Sequence, residues 1–203
     1  MVSVVFLGKG AKYMLHVYTG NGKGKTTAAI GLAVRALGAG KKVYFLQFMK
    51  SLAYSEQKIL QEFSPQLRLQ TTGKPFFIAE EGSLSKEEQE KWGQDLVIFP
   101  PGKPPAEYKQ QIADGIQEAA AHLQAIRYDL LVLDEINMAL FFSLLDRETV
   151  EKFLQKYIPS LEIVCTGRKA PAWLVEMADL VTEMKEVKHY YQQGISARRG
   201  IEN

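Results

Sequence analysis

The stretch TGNGKGKTTAA (residues 19–29) concentrates glycine, lysine and threonine immediately before an apolar, alanine-rich segment. Its GKT triplet at positions 24–26 is the end of the phosphate-loop pattern G-x-x-x-x-G-K-[ST]. The first glycine of that pattern would fall on Thr19, so Gly20 and Gly22 supply the backbone freedom instead. Backbone N–H groups of such a loop turn inward around an anion, and the following helix directs its positive end there. The stretch therefore predicts a phosphate site.

Charged and hydroxyl side chains complete this predicted site. Lys25 adds a point charge for a phosphate, and the Thr26 hydroxyl suits Mg²⁺. Lys23, the second lysine of the loop, either contacts phosphate or is simply solvated. The strand-like run LLVLDE ends in Asp134 and Glu135. Because acids at the carboxyl end of a parallel strand face the ligand crevice, we expect one of them to hold magnesium beside a nucleoside triphosphate.

Several reaction classes use such a loop, and the sequence narrows them. A DNA-dependent motor would need a basic stripe or interleaved aromatic residues, which a chain with a net charge of +2 does not offer. A GTPase would carry a base-reading NKxD motif, which is absent from the sequence. An ATPase or a small-molecule kinase stays open, with Arg168 either clamping a phosphate or forming a surface ion pair.

The segments that must position these residues alternate between strand and helix. Apolar and β-branched runs predict strands at 14–19, 42–48, 67–70, 129–136, 161–165 and 180–184. Apolar spacing and charge pattern predict helices at 25–40, 54–63, 85–95, 106–126, 146–157 and 171–178. This alternation predicts an α/β fold of the phosphate-loop NTPase (RecA-like) type, with a mostly parallel sheet covered by helices on both faces.

The domain organisation follows from length and composition. We expect one nucleotide-binding domain over residues 1–203, with an inserted loop or lid at about 73–105 and a tail at about 185–203. The single cysteine, Cys165, lies in an apolar run and is predicted to be buried. No secretory signal and no apolar run of about 20 residues is present, so a cytoplasmic protein without membrane or nucleic-acid partners is predicted.

Three motifs in fixed order make the interpretation more specific. The runs TGNGKGKTTAA, LDEINMAL and TGRKAPAWLVEMADLVTEMKEVKHYYQQGISARRGIE resemble the phosphate-loop form of the ATP:corrinoid adenosyltransferase family. The resemblance covers about Tyr13 to Glu202 and is weakest at 73–105. It implies that reduced cobalt of a corrinoid attacks the ribose 5′ carbon of ATP and that triphosphate leaves, in cobalamin biosynthesis or salvage. It also implies that ATP lies in the loop in the opposite sense to ordinary phosphate-loop enzymes.

This chemistry needs no general base, because the nucleophile is a metal electron pair, so alignment and stabilisation of the leaving charge are the protein's tasks. The resemblance assigns catalysis to Lys25, Thr26 and Glu135, and magnesium to Thr26 and Glu135, with Asp134 beside them. The ATP contacts that it implies are Gly20, Asn21, Gly22, Lys23, Gly24, Lys25, Thr26, Thr27 and Arg168.

The resemblance also implies a corrinoid-facing surface and partners. In the family, aromatic residues in a loop after the third strand displace the axial ligand of the corrinoid, which makes its cobalt reducible. Phe76 and Phe77 are the candidates here, although their spacing differs from the family's Phe-x-Trp and packing on the core is the alternative; Trp92 is another wall candidate. A homodimer and an electron-donating flavoprotein reductase are implied. For His189 in the tail a structural contact is favoured, and the tail itself closes over the nucleotide or reaches a partner subunit.

Overall fold

The computed structural model describes residues 13–51, 54–74, 77–92, 96–195 and 197–202. In chain order the elements are β1 (Leu15–Thr19), α1 (Lys25–Gly38), β2 (Val43–Phe48), α2 (Ser55–Glu62), β3 (Leu67–Thr72), β4 (Phe77–Glu80), α3 (Lys86–Trp92), β5 (Leu96–Phe99), α4 (Ala106–Ala125), β6 (Leu130–Asp134), α5 (Ile136–Phe141), α6 (Arg147–Tyr157), β7 (Glu162–Thr166), α7 (Ala172–Met177), β8 (Leu180–Glu183) and a 3-10 helix, Tyr190–Gln193.

Six strands form one parallel sheet in the order β3-β2-β6-β7-β1-β8, which confirms the predicted α/β fold. The sheet has an apolar cluster on each face, because successive side chains of a strand point to opposite sides. On β2, Val43 and Phe45 pack with α1, whereas Tyr44 and Leu46 join the cluster that contains α4. Both clusters are fully buried at these positions, so the sheet is covered on both faces.

The parallel register brings the carboxyl ends of the strands to one edge of the sheet. Gln47 of β2 pairs with Asp134 of β6, and Leu133 of β6 pairs with Cys165 of β7. The following residue of β7, Thr166, pairs with Tyr18 of β1, so β7 lies between the phosphate-loop strand and the acid-bearing strand. This edge collects the residues predicted at the phosphate loop and at the end of the acid-bearing strand.

The segment from 73 to 105 contains two strands that sequence analysis did not predict. The four-residue strands β4 and β5 pair in parallel as a separate two-stranded sheet, with α3 between them. Phe99 at the end of β5 is 3% exposed and meets the Phe142 ring edge-on at 5.9 Å, so this unit packs on the main core. Such short strands, one of them followed at once by prolines, give too little periodic signal to be recognised from sequence.

The strand predicted over 129–136 ends two residues early. Glu135 has φ 65°, in the left-handed region, and α5 begins directly after it at Ile136. The turn at Glu135 could not be predicted, because an apolar run in the sequence does not indicate where the backbone changes direction. Cys165 is buried as predicted. Within the described residues no helix is both long enough and apolar enough to cross a membrane.

Two helical glycines provide a test of how closely the helices pack. A Cβ at Gly115 of α4 would overlap the Thr72 γ-methyl of β3, whereas a Cβ at Gly31 of α1 meets nothing within 4 Å. We expect Gly115→Ala to lower the free energy of unfolding by about 1–2 kcal/mol despite its better helix propensity. Gly31→Ala, the matched control, should raise it by about 0.5–1 kcal/mol.

Urea denaturation of both variants measures these changes. Equal stabilisation by the two substitutions would show that α4 does not approach β3 as closely as described.

Candidate active site

The phosphate loop, residues 20–24, joins β1 to α1 and encloses the Lys25 side chain. Lys25 is 7% exposed, and its ammonium donates to the carbonyl oxygens of Gly20 at 2.8 Å and Gly22 at 2.7 Å. Burial lowers the pKa of Lys25, and the nearby Arg168 charge works in the same direction. The charges of Glu135 and Asp134 oppose this shift. The loop therefore concentrates one buried cation at the start of α1.

Close contact with a distant segment explains two of the loop glycines. The backbone of Met184, which follows β8, passes directly over the loop, and the Gly22 N–H donates to the Met184 carbonyl at 2.7 Å. A Cβ at Gly22 would lie 2.7 Å from that oxygen, and one at Gly20 would collide with the same residue. Gly20 also has φ 97°, which favours glycine. The Gly22 N–H is therefore directed at the Met184 carbonyl in this structure.

Asp134 at the end of β6 joins the surrounding elements through four hydrogen bonds. Its side chain has no exposed surface. One carboxylate oxygen accepts the hydroxyls of Thr26 at 2.8 Å and Thr166 at 2.7 Å. The other accepts the Gln47 amide at 3.1 Å and the Lys50 ammonium at 2.9 Å. Both oxygens of Asp134 are therefore occupied by donors from α1, β2, β7 and the residues after β2.

Lys50 is the charged residue of this network that sequence analysis missed, together with Gln47 and Thr166. Its side chain is 12% exposed, lies 2.9 Å from Asp134 and 3.6 Å from Glu56, and sits over the Tyr54 ring at 5.1 Å. Burial alone would lower the pKa of Lys50, but the charge and hydrogen bond of Asp134 raise it above its ordinary value. The available signal was a polar Gln47 inside a buried strand with a lysine just beyond it, which indicates the same sheet edge.

Glu135 occupies a different environment from its neighbour. Its N–H donates to the Thr166 hydroxyl at 3.0 Å, and its carboxylate accepts no hydrogen bond from the described residues. Burial, followed by the Asp134 charge, raises the pKa of Glu135, while Lys50, Lys25 and Arg168 oppose this. A Cβ at Gly167 would lie 3.2 Å from a Glu135 carboxylate oxygen, so the glycine makes room for this side chain.

These oxygen donors fit a magnesium ion that is shared with a phosphate ligand. No group of three or more His, Cys, Asp or Glu side chains forms a metal cage within the described part of the chain. Mg²⁺ is commonly held by one or two carboxylates together with substrate phosphates and water. Thr26 and Glu135 provide a hydroxyl and a carboxylate next to the loop, and Asp134 fixes the Thr26 hydroxyl.

The remaining predicted residues lie further out. Asn21, Lys23, Thr27 and Arg168 are exposed, and the influence of Arg168 on Lys25 and Glu135 places its charge near both. Phe77 begins β4 and is 44% exposed. Phe76 lies outside the described residues, as does the Trp92 side chain.

His189 makes a structural contact, as sequence analysis favoured. Its Nδ1 accepts the N–H of Tyr191 at 3.1 Å and caps the 3-10 helix.

Comparison with known proteins gives consistent matches along the chain. The profile of the family described as ATP:corrinoid adenosyltransferase BtuR/CobO/CobP matches residues 11–203. The corrinoid adenosyltransferase of Pseudomonas aeruginosa is 34% identical over 191 residues, which are 93% of this chain and 83% of that protein. The corrinoid adenosyltransferase of Sinorhizobium sp is 32% identical over 195 residues (94% and 80%), and that of Escherichia coli K12 is 30% identical over 187 residues (92% and 83%).

The buried pair of Lys50 and Asp134 generates a stability prediction. Lys50→Met keeps the side-chain volume but leaves Asp134 without its counter-charge, so we expect the free energy of unfolding to fall by about 3 kcal/mol. Lys152→Met is the matched control, because Lys152 pairs with Glu148 at 2.6 Å on the exposed face of α6. That substitution should have no measurable effect, since exposed pairs contribute little.

Urea unfolding of the two variants makes the comparison. A similar loss from both would mean that the Asp134 charge is not buried in solution.

Proposed function

The chain belongs to the ATP:corrinoid adenosyltransferase family and transfers the adenosyl group of ATP to a corrinoid, a step of cobalamin synthesis, and we propose that this happens at the carboxyl edge of the sheet with ATP on the phosphate loop. The observation that carries this assignment is the convergence of Lys25, Thr26 and Glu135, from two distant segments, on one edge. Helix α1 begins at the same place and adds the positive end of its dipole.

The reaction sets a limited task for the side chains. A bond forms between cobalt and the ribose 5′ carbon as the bond from that carbon to oxygen breaks, and the electron pair departs with the triphosphate. No proton has to be removed, so the residues need only align ATP and stabilise negative charge on the leaving group. We assign the charge stabilisation to Lys25 and the loop amides. Asn21, Thr27 and Arg168 are proposed to contact phosphate or ribose.

Thr26 and Glu135 are the residues that we propose to hold magnesium. Bound magnesium supplies positive charge beside the triphosphate oxygens. Support for Glu135 rather than Asp134 comes from hydrogen bonding: Asp134 already accepts four donors, whereas the carboxylate of Glu135 accepts none from the described residues. Glu135 is partly buried, and the Asp134 charge beside it raises its pKa. A cation would relieve this repulsion.

The corrinoid is proposed to bind beside the segment that starts at Gly73. A Cβ at Gly73 would collide with the Lys50 backbone, so this segment leaves the sheet next to the proposed ATP site. Phe77, four residues further on and half-exposed, is a candidate for the aromatic contact that displaces the axial ligand, together with Phe76. Trp92 is a further candidate for the wall of this site.

Partners are proposed on similar grounds. The chain has one cysteine, Cys165, and it is buried, so electrons cannot come from a dithiol pair of this chain. We propose that a separate electron-donating flavoprotein reductase supplies the electrons, as the family resemblance implies. Val181, Val187 and Ile201 expose apolar side chains in the C-terminal part of the chain, which supports a homodimer formed there.

An anaerobic assay tests the proposed site and the reaction together. Chemically reduced cobalamin is mixed with the protein and Mg-ATP, the corrinoid spectrum is followed, and the phosphate product is identified by chromatography. We expect a light-sensitive adenosylated corrinoid and one triphosphate per turnover. Lys25→Ala should slow the reaction by about 10²-fold or more.

An unchanged corrinoid with accumulation of ADP would point to a phosphate-loop kinase or ATPase instead. If Lys25→Ala reacted as fast as the unsubstituted protein, the proposal that ATP binds on the phosphate loop would be wrong.

The two acids should respond in opposite ways to loss of charge. Glu135→Gln should slow adenosylation about 10²-fold. Without nucleotide it should raise the free energy of unfolding by about 1 kcal/mol, because a partly buried charge that Asp134 repels is removed. Asp134→Asn should instead lower it by about 2 kcal/mol, because donors lose a charged acceptor.

Thermal unfolding without Mg-ATP, together with rates at several magnesium concentrations, distinguishes the pair. If Asp134→Asn alone changed the magnesium dependence, the proposed direct ligand would be the wrong acid.

A further inference from the structure

The C-terminal segment (residues 184–195 and 197–202) reaches the phosphate loop at a second point beyond Met184. The Lys23 ammonium donates to a Glu202 carboxylate oxygen at 3.0 Å and to the Tyr190 hydroxyl at 3.2 Å. The Tyr190 hydroxyl also donates to the same Glu202 oxygen. A loop cation next to the proposed ATP site is therefore held by an acid that lies 179 residues away in sequence.

Glu202 has more hydrogen-bond partners than Lys23. Glu202 also accepts the backbone N–H of Arg198 at 2.7 Å and its guanidinium at 3.1 and 3.2 Å, and Arg198 lies over the Tyr190 ring at 5.0 Å. The hydrogen bond from Arg198 is the main cause of the lowered pKa of Glu202. The Glu202 side chain is 13% exposed and that of Lys23 is 40% exposed. Glu202 would thus keep its place without Lys23, whereas Lys23 can leave.

The position of Lys23 indicates where it would go. It lies between Gly22 and Gly24 in the phosphate loop, two residues before Lys25. Lys25 is buried among the loop carbonyls, so Lys23 supplies the exposed positive charge of the loop itself. A lysine side chain is long and flexible, and a triphosphate offers it more negative charge than one carboxylate already paired with Arg198.

We propose that Glu202 and Tyr190 are positioning residues that hold Lys23 beside the loop, and that Lys23 leaves them for the phosphates when ATP or triphosphate binds. The inference rests on the proposed ATP site. Because Glu202 and phosphate compete for one ammonium, Glu202 weakens the hold of the loop on triphosphate and promotes its release. The competition is reciprocal, so bound triphosphate loosens the C-terminal segment from the loop.

Calorimetric titration with inorganic triphosphate and magnesium tests this competition. Glu202→Gln should bind triphosphate about three-fold more tightly, the size expected of a partly exposed ion pair, and should lower KM for ATP without raising kcat. Tyr190→Phe should shift binding in the same direction by less. Glu186→Gln is the matched control: it removes the same charge from the same segment, where Glu186 accepts a hydrogen bond from Gln192 and none from Lys23.

A double-mutant cycle isolates the pair. In a Lys23→Met background Glu202→Gln should leave triphosphate binding unchanged, because the ammonium for which the two anions compete is gone. Weaker or unaltered binding by Glu202→Gln, or the same tightening in the Lys23→Met background, would overturn the inference. If Lys25→Ala failed to weaken triphosphate binding, the proposed ATP site itself would fail, so the two failures are distinguishable.

Discussion

The buried carboxylate of Asp134 is the interaction on which the site depends. It accepts hydrogen bonds from Thr26 of α1, Thr166 of β7 and Gln47 of β2, and it pairs with Lys50 beyond β2. An unpaired buried charge is costly, so these four donors are required once the acid is placed at the end of β6. Together they fix the start of the phosphate-loop helix against the central strands. The position of the Thr26 hydroxyl follows from this network.

Glu135, the neighbouring acid, differs from Asp134. We assign Asp134 a structural role and Glu135 a role in the reaction. Glu135 itself adopts the left-handed backbone conformation, and both burial and the Asp134 charge raise its pKa. Lys25, the first residue of α1, is also buried and has a lowered pKa. Both groups thus pay for desolvation in the folded chain. A magnesium–triphosphate ligand carries the charges that would compensate them, which is the electrostatic form of a preorganised site.

The phosphate loop is supported by the far end of the chain as well as by its own sequence. The Met184 backbone lies so close to Gly20 and Gly22 that neither position has room for a side chain. Lys23 then connects the same loop to Glu202. The family profile likewise matches residues 11–203, a range that includes the tail. The phosphate loop is therefore one side of a contact between two segments that are distant in sequence.

The sequence by itself determined the parallel α/β fold, the phosphate loop, the acid-bearing strand, the buried Cys165 and the family. These depend on local patterns: runs of apolar residues, loop glycines and motif order. Tertiary structure alone decided that Asp134 is saturated while Glu135 is not, that Lys50 belongs to the site, and that β4 and β5 pair. It also decided that the tail meets the loop at Lys23. Each of these features depends on which strands become neighbours and on where the backbone turns. Contacts between residues that are distant in sequence, such as Lys50 with Asp134 and Lys23 with Glu202, leave no periodic trace in a single sequence.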